Sequence, residues 1–339
     1  MAAVSVRHEV GQALDELVRT GVPGAQAVVT ERGRSWEAVS GVGDRRTGKA
    51  FPHRSHVRIG SNTKTFVATV ILQLVAEGKV KLDEPIDRYL PGVVRGNGND
   101  GTRITVRQLL QHTSGLPDYG PKLTDGPRHY EPAELVQFAM TLPSRFEPGT
   151  KWEYSNTNYI LAGMLIEKVT GRSPAAEITS RIIRPLGLTD TYYPAPYETG
   201  IRGAHPRGYD QDEGKWVDVT DQDPSWGGAA GAMVSTGQDV NRFFTALVGG
   251  RLLPPAQLAE MKRTVPADVF PGAQYGLGLI RIPVSCGKEL WGHGGSIPGF
   301  RTRGGVTTDG RSVNVTVNQV TATGSADVLK VVDTAICAR

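Results

Sequence analysis

In the segment Arg58-Ile59-Gly60-Ser61-Asn62-Thr63-Lys64-Thr65-Phe66 a hydroxyl and an amine lie three residues apart where an apolar helix pattern begins. Apolar residues recur at Phe66, Val67, Val70, Ile71, Leu74 and Val75, the i, i+3, i+4 spacing of a helix with a buried face, and Gly78 supplies a stop. Ser61 and Lys64 then project from one side of the first turns and can touch. A serine hydroxyl attacks carbonyls poorly until a base takes its proton. A lysine becomes that base when burial, nearby positive charge and the positive end of the helix dipole lower its pKa. The spacing predicts a nucleophile at Ser61 with Lys64 as its proton partner; taken alone, it fits an N-cap serine and a solvated lysine equally well. The same spacing at Ser285-Cys286-Gly287-Lys288 falls in a Gly-containing turn between strand-like runs, with no helix to hold the amine.

Two further segments carry chemistry. In Trp152-Glu153-Tyr154-Ser155-Asn156-Thr157, just before a helical run, a phenol and a carboxamide two residues apart on an extended segment point to one side. Tyr154 is a proton carrier when a neighbouring ammonium lowers its pKa, and Asn156 can bind a substrate carbonyl; the plainer reading is an aromatic packing residue and a helix cap. Trp291-Gly292-His293-Gly294-Gly295-Ser296 ends a strand-like run, and glycines inside a strand mark a close approach of backbone or ligand. The Ser296 N–H can pair with the Ser61 N–H around an oxyanion, the alternative being a turn with a structural histidine.

These segments need elements to position them. The 339 residues, 39% hydrophobic and 21% charged, describe a globular chain with a substantial core. No apolar run reaches the roughly 18 to 20 residues that span a bilayer. A net charge of +4, with scattered basic residues, does not support nucleic-acid binding. The first residues lack a basic n-region and an apolar h-region. A chain starting natively at Met1 is expected in the cytoplasm, and one whose leader has been removed is expected outside the cell.

Periodicity predicts a helix over 7–20, a hairpin of Gln26 to Glu31 and Ser35 to Val42 around Arg32-Gly33-Arg34, and a mostly helical stretch from Ser61 to Val265. Helices are expected at Val106–Gln111, Pro132–Met140, Thr157–Val169, Gln238–Val248 and Pro255–Met261, with a flexible surface loop over Gly92–Gly101. Strands return at Tyr275–Ile282, Glu289–His293, Gly299–Thr307 and Ser312–Asn318, before a helix over Ala326–Cys337. The expected architecture is α/β (α+β): an antiparallel sheet formed by both termini, with flanking helices and a large helical insertion. Residues 1–60 and 266–339 form the sheet subdomain and 61–265 the helical one, with the site in the cleft between them.

In this order, Ser-x-x-Lys, Tyr-x-Asn and His-Gly-Gly resemble the penicillin-recognising serine hydrolases, in the branch of D-alanyl-D-alanine carboxypeptidases, class C β-lactamases and related esterases. The resemblance covers nearly the whole chain and is nearest to secreted actinomycete carboxypeptidases. Supporting segments are Gln111-His112-Thr113-Ser114-Gly115-Leu116, Leu161-Ala162-Gly163-Met164-Leu165-Ile166-Glu167 and Tyr275-Gly276-Leu277-Gly278-Leu279.

The resemblance implies an acylated Ser61, Lys64 as its proton partner and Tyr154 as base or proton shuttle toward the leaving group. Asn156 would hold the acyl amide, and His293 with Gly294 forms the third motif. It implies no cofactor and no metal; His53 and His56 lack further ligands nearby in sequence. Cys286 and Cys337, which as residues alone are equally free or paired, match positions that form a disulfide in secreted relatives. Two departures bear on substrate. Gly294 lacks the hydroxyl common in enzymes that cleave D-alanine, and Ile280 stands where they carry a carboxylate-gripping arginine, with Arg281 facing the other way.

The expected function is acyl transfer through acyl-Ser61 on an ester or amide of a small peptide-like or natural-product substrate, to water or an amine, by a monomer. D-alanyl-D-alanine carboxypeptidase, β-lactamase and a silent β-lactam-binding relative are the alternatives.

Overall fold

The computed structural model describes residues 2–123, 126–320 and 325–338. One antiparallel sheet joins the two ends of the chain. Its strands are β1 (Gly24–Glu31), β2 (Arg34–Gly41), β3 (Val265–Pro266), β4 (Gln274–Tyr275), β5 (Ile280–Pro283), β6 (Glu289–Ile297), β7 (Phe300–Thr307) and β8 (Ser312–Val317). They lie in the order β2-β1-β8-β7-β6-β5-β4-β3. β1 pairs with β8 in the register Ala27↔Val315, so the first and last strands meet inside the sheet. The β1–β2 hairpin turns on Arg32 and Gly33, both at positive φ.

Alternation along the strands assigns the two faces. Ala25, Ala27 and Val29, with Val313, Val315 and Val317, pack on Val10, Leu14 and Leu17 of helix α1 (Ala2–Arg19) and on Val328, Val331 and Val332 of the C-terminal helix (Ser325–Cys337). Val28 faces the opposite way, onto a helix over Gly237–Val248. A Cβ on Gly237 would stand 2.6 Å from Val28 Cγ2. On that side lies the larger core, built around α2 (Thr63–Ala76), with Phe66 stacked on Phe243 at 3.7 Å between ring centroids. The expected helices at Val106–Gln111, Pro132–Met140 and Pro255–Met261 are present, and the expected Thr157–Val169 helix runs over Asn156–Thr170.

Several local expectations are corrected. Tyr275 to Ile282 is not one strand, because Gly276 to Leu279 turn between β4 and β5. There the Gly276 N–H donates to Leu279 O, and Gly278, at φ +70°, fits against Ala68 and the Tyr159 hydroxyl, where a side chain would clash. The 92–101 segment is an ordered hairpin of Arg95–Gly96 and Asn99–Asp100, anchored by Asn99 Nδ2 donating to Leu142 O at 2.9 Å. A hairpin of Tyr209–Asp212 and Lys215–Asp218 and a helical run over 174–186 carry too little periodicity to have been predicted. A disulfide joins Cys286, in the β5–β6 turn, to Cys337.

The approach of the sheet to the segment before α2 is glycine-dependent. A Cβ on Gly295 of β6 would fall 1.9 Å from Ile59 O. Gly295→Ala is therefore expected to force the strand and the Ile59–Ser61 segment apart, costing about 1–3 kcal/mol, read as a lower thermal midpoint. Gly11→Ala, inside α1 with open space around it, is expected to raise stability by about 0.5–1 kcal/mol. Equal effects of the two changes would remove the close-approach argument.

Candidate active site

Ser61 lies on a 3₁₀ turn, Gly60–Asn62, that runs directly into α2. The turn is pinned on both sides. Asn62 Nδ2 donates to Ile59 O (2.9 Å) and to Thr302 Oγ1 of β7 (2.7 Å), and the Ile59 N–H donates to Met233 O (3.0 Å). Arg58, buried just before it, donates through Nη2 to Thr199 O (2.5 Å) and Thr220 O (3.0 Å). Gly60 takes φ +48° and backs onto β6; a Cβ there would meet the Ser296 nitrogen at 3.0 Å. The Ser296 nitrogen thus lies against the Ser61 turn.

Lys64 has no exposed surface. Its Nζ contacts Ser61 Oγ at 3.0 Å, Asn156 Oδ1 at 2.8 Å and Ala230 O at 2.7 Å. Burial pulls its pKa down to about 7, with Asp118 acting the other way. The partners decide what the neutral amine does. Asn156 Oδ1 and Ala230 O can only accept, so they take its two N–H groups and leave its lone pair toward the Ser61 hydroxyl. The arrangement thus presents a base to a serine near neutral pH.

Tyr154 hydrogen-bonds Ser61, and its ring centroid is 4.7 Å from Lys64 Nζ. A lowered phenol pKa was the expectation, but burial pushes it up, and the Ser61 bond only partly opposes this. Tyr154 is accordingly a protonated phenol in the free protein. Asn156 opens the helix Asn156–Thr170, with its N–H on Asp118 Oδ2 at 2.7 Å and its side chain on Lys64. Ser155, not Asn156, holds the N-cap position. Beneath Tyr154 lies buried His112, at 4.2 Å between ring centroids, whose Nδ1 accepts from the Ser155 N–H and Asn158 Nδ2.

His293 sits on β6, buried, with Nε2 2.9 Å from the Tyr275 hydroxyl and Nδ1 2.7 Å from Gly294 O. Burial lowers its pKa to about 3, so it is neutral. Ser61, Tyr154, Asn156, His293, Gly294 and Ser296 all line one cleft of about 340 Å³, walled by Trp152, Trp226 and Phe270. Lys64 lies below its floor. Ile280 also lines the cleft, while Arg281, on the other face of β5, pairs with Glu289. The second Ser-x-x-Lys match goes elsewhere: Ser285 Oγ bonds Asp333, and Lys288 pairs with Asp309.

A family model described as Beta-lactamase matches residues 10–334. The chain belongs to the β-lactamase family. A D-stereospecific amidohydrolase from a Streptomyces species superposes with TM-score 0.89 at 41% identity, over 96% of this chain and 98% of that one. The D-amino acid amidase of Ochrobactrum anthropi SV3, complexed with L-phenylalanine amide, gives TM-score 0.86 at 33% identity over 98% of both chains. Esterase EstB of Burkholderia gladioli is 31% identical over 207 residues, 56% of this chain and 52% of the esterase. The chain spans about half the length of the curated relatives it matches.

Within this β-lactamase-family chain, several site residues escape sequence reading. Ala230 contributes only a carbonyl, which no residue type advertises. Asp118 reaches the site from a loop, and Arg303 arrives from β7; each is a common residue outside any motif. His53 and His56 separate to Glu37 and Asp190, and among the described residues no cluster could hold a metal. No helix among them is long and apolar enough to cross a membrane.

Because Asp118 favours the Lys64 ammonium, Asp118→Asn should lower the Lys64 pKa further. The expected reading is an acylation rate that rises with pH to a plateau through a midpoint near 7 in the native protein, and through a lower midpoint in the variant. A midpoint that stays put or moves up would separate Asp118 from Lys64.

Proposed function

We propose that the protein is a serine acyl-transfer enzyme that cleaves amides or esters through an acyl-Ser61 intermediate. The observation that carries this is the Lys64 amine, buried and shared between Ser61, Asn156 and Ala230 at the floor of an open cleft. In this reading neutral Lys64 takes the Ser61 proton as Oγ bonds to the carbonyl carbon. The oxygen, now negative, is held by the Ser61 and Ser296 N–H groups. As the C–N or C–O bond breaks, Tyr154 gives its proton to the departing atom and regains one from the Lys64 ammonium. Asn156 holds the acyl part, and water or an amine then releases it.

The similar amidohydrolase and amidase favour D-aminoacyl amides among the possible donors. The neutral His293 and Ile280 walls suit an uncharged scissile group. A monomer, with a sheet subdomain of residues 1–60 and 266–339 and a helical subdomain of 61–265, is part of the same proposal.

The test follows the acyl-enzyme. Incubation with a D-phenylalanine amide or methyl ester should release ammonia or methanol, and a fluorophosphonate should add one mass equivalent on Ser61. Ser61→Ala should abolish both, and Lys64→Met should lower labelling by at least a hundredfold while the protein stays folded. Tyr154→Phe should cut kcat by 10²–10⁴-fold with little change in KM, the usual weight of a positioned proton donor. Retained labelling in the Lys64 variant would sink the base assignment. An unchanged rate in the Tyr154 variant would return that ring to packing. A stable penicillin adduct without turnover of any amide or ester would instead mark a silent β-lactam-binding protein.

A further inference from the structure

A second cavity, of about 370 Å³, shares a wall with the catalytic cleft. The wall is the segment 224–232, which includes the short Gly228–Gly231 helix. Trp226, Gly227, Ala230 and Gly231 line the cleft, whereas Pro224, Ser225, Gly228, Ala229 and Ala232 line the cavity behind it. The floor of the cavity is the helix Asn156–Thr170, whose Ile160, Gly163, Met164 and Glu167 fall at i, i+3, i+4 and i+7 along one face. Gly163 sets how closely the wall sits on this floor, since a Cβ there would fall 2.6 Å from Ala229 Cβ. Floor and wall each carry one of the oxygens that hold the Lys64 amine: Asn156 Oδ1 and Ala230 O.

The lining describes the occupant. Tyr130, Tyr193 and the rings of Pro174, Pro194, Pro196 and Pro224 present flat apolar surface. Glu131, Glu167 and Asp223 are the acids, and the described lining residues include no lysine or arginine. His129 is held on Asp223, with Nδ1 2.8 Å from Oδ2, and stacks on Tyr197 at 4.1 Å between ring centroids. Even a protonated His129 leaves the lining net negative. Arg128, next to it in the chain, turns to Glu134, with Nη2 donating to Oε1 at 2.6 Å. A cation with a flat apolar body meets both demands, because carboxylates and aromatic faces attract it, whereas an anion would meet three carboxylates. The volume falls within the range of small-molecule sites, about 300–1,000 Å³.

We propose that this cavity is a second ligand site, for a small organic cation with an aromatic body, and that its occupancy is felt at Ser61. The second half of the proposal rests on Lys64 as the base for Ser61. A ligand seated there packs on both elements that hold the Lys64 amine. Hydrogen bonds weaken steeply as their geometry departs from the optimum, so a small displacement of Ala230 O or Asn156 Oδ1 alters both the reach and the proton affinity of that amine. The coupling is reciprocal for binding, as linkage requires.

The probe is phenethylamine, with 2-phenylethanol as its uncharged counterpart. Titration calorimetry should show the amine binding to protein whose Ser61 is already capped by a fluorophosphonate, at least tenfold more tightly than the alcohol. Added salt should weaken it. Ala195→Trp should abolish that binding, and Glu167→Gln should weaken it at least threefold; both are exposed lining positions, so both variants should keep the native thermal midpoint. In uncapped native protein, saturating amine should change the rate of Ser61 labelling at least threefold, and in Ala195→Trp it should leave that rate unchanged. No binding to capped protein, equal binding of amine and alcohol, or binding that survives Ala195→Trp overturns the site. A labelling rate that the amine leaves alone, or alters equally in native protein and Ala195→Trp, overturns the coupling. If Ser61 takes no label at all, the acyl-enzyme reading and the coupling fall together, and calorimetry on the native protein still decides the site.

Discussion

Everything in the site depends on hiding one amine from water. An isolated ammonium is costly to bury, and a protein meets that cost by giving it partners or by letting it lose its proton. Lys64 has both routes. Three oxygens surround its Nζ, enough for an ammonium, yet burial brings its pKa to about 7, so either state is accessible. The three oxygens belong to three separate parts of the chain: the turn before α2, the start of the Asn156–Thr170 helix and the short Gly228–Gly231 helix. A shift in any of them alters the proton affinity of the amine as well as its position.

The apolar framework makes that burial possible. α2 is enclosed on nearly all sides, which removes water from Lys64 as well as from Phe66, Val70 and Ile71. The sheet contributes an edge rather than a face. β5 pairs with β6 only as far as Gly292, so beyond that point β6 runs free along the cleft, and its glycines let Ile59 and Gly60 approach to backbone contact. Small residues there are a steric requirement of bringing a strand, a helix start and a substrate into one place.

Charge in the cleft is distributed unevenly. His293 is neutral, and Tyr154 keeps its proton, because both are walled in by aromatic rings and sheet. Arg303 remains a cation even though burial and Arg301 bring its pKa to about 10. The group that titrates near neutral pH therefore lies at the floor of the cleft, while a fixed positive charge lies on its β7 side.

Much of this was legible in the residues. The i, i+3, i+4 pattern after Phe66 located α2, and the spacing of Ser61 and Lys64 brought hydroxyl and amine together, because a helix turn converts sequence separation into distance without outside help. The family resemblance put Ile280 at the cleft, and alternation turned Arg281 away from it. What local pattern misjudged were places where contacts override propensity. Gly276 to Leu279 turn because Gly278 fits under Tyr159, and the 92–101 segment is ordered because Asn99 reaches Leu142. The sequence by itself determined that Ser61 and Lys64 meet and that both chain ends build one sheet. Only the tertiary structure decided that Ala230 completes the amine's surroundings, that Tyr154 holds its proton and that Arg303 enters beneath Gly294. Those depend on burial and on neighbours distant in the chain, which no local spacing encodes.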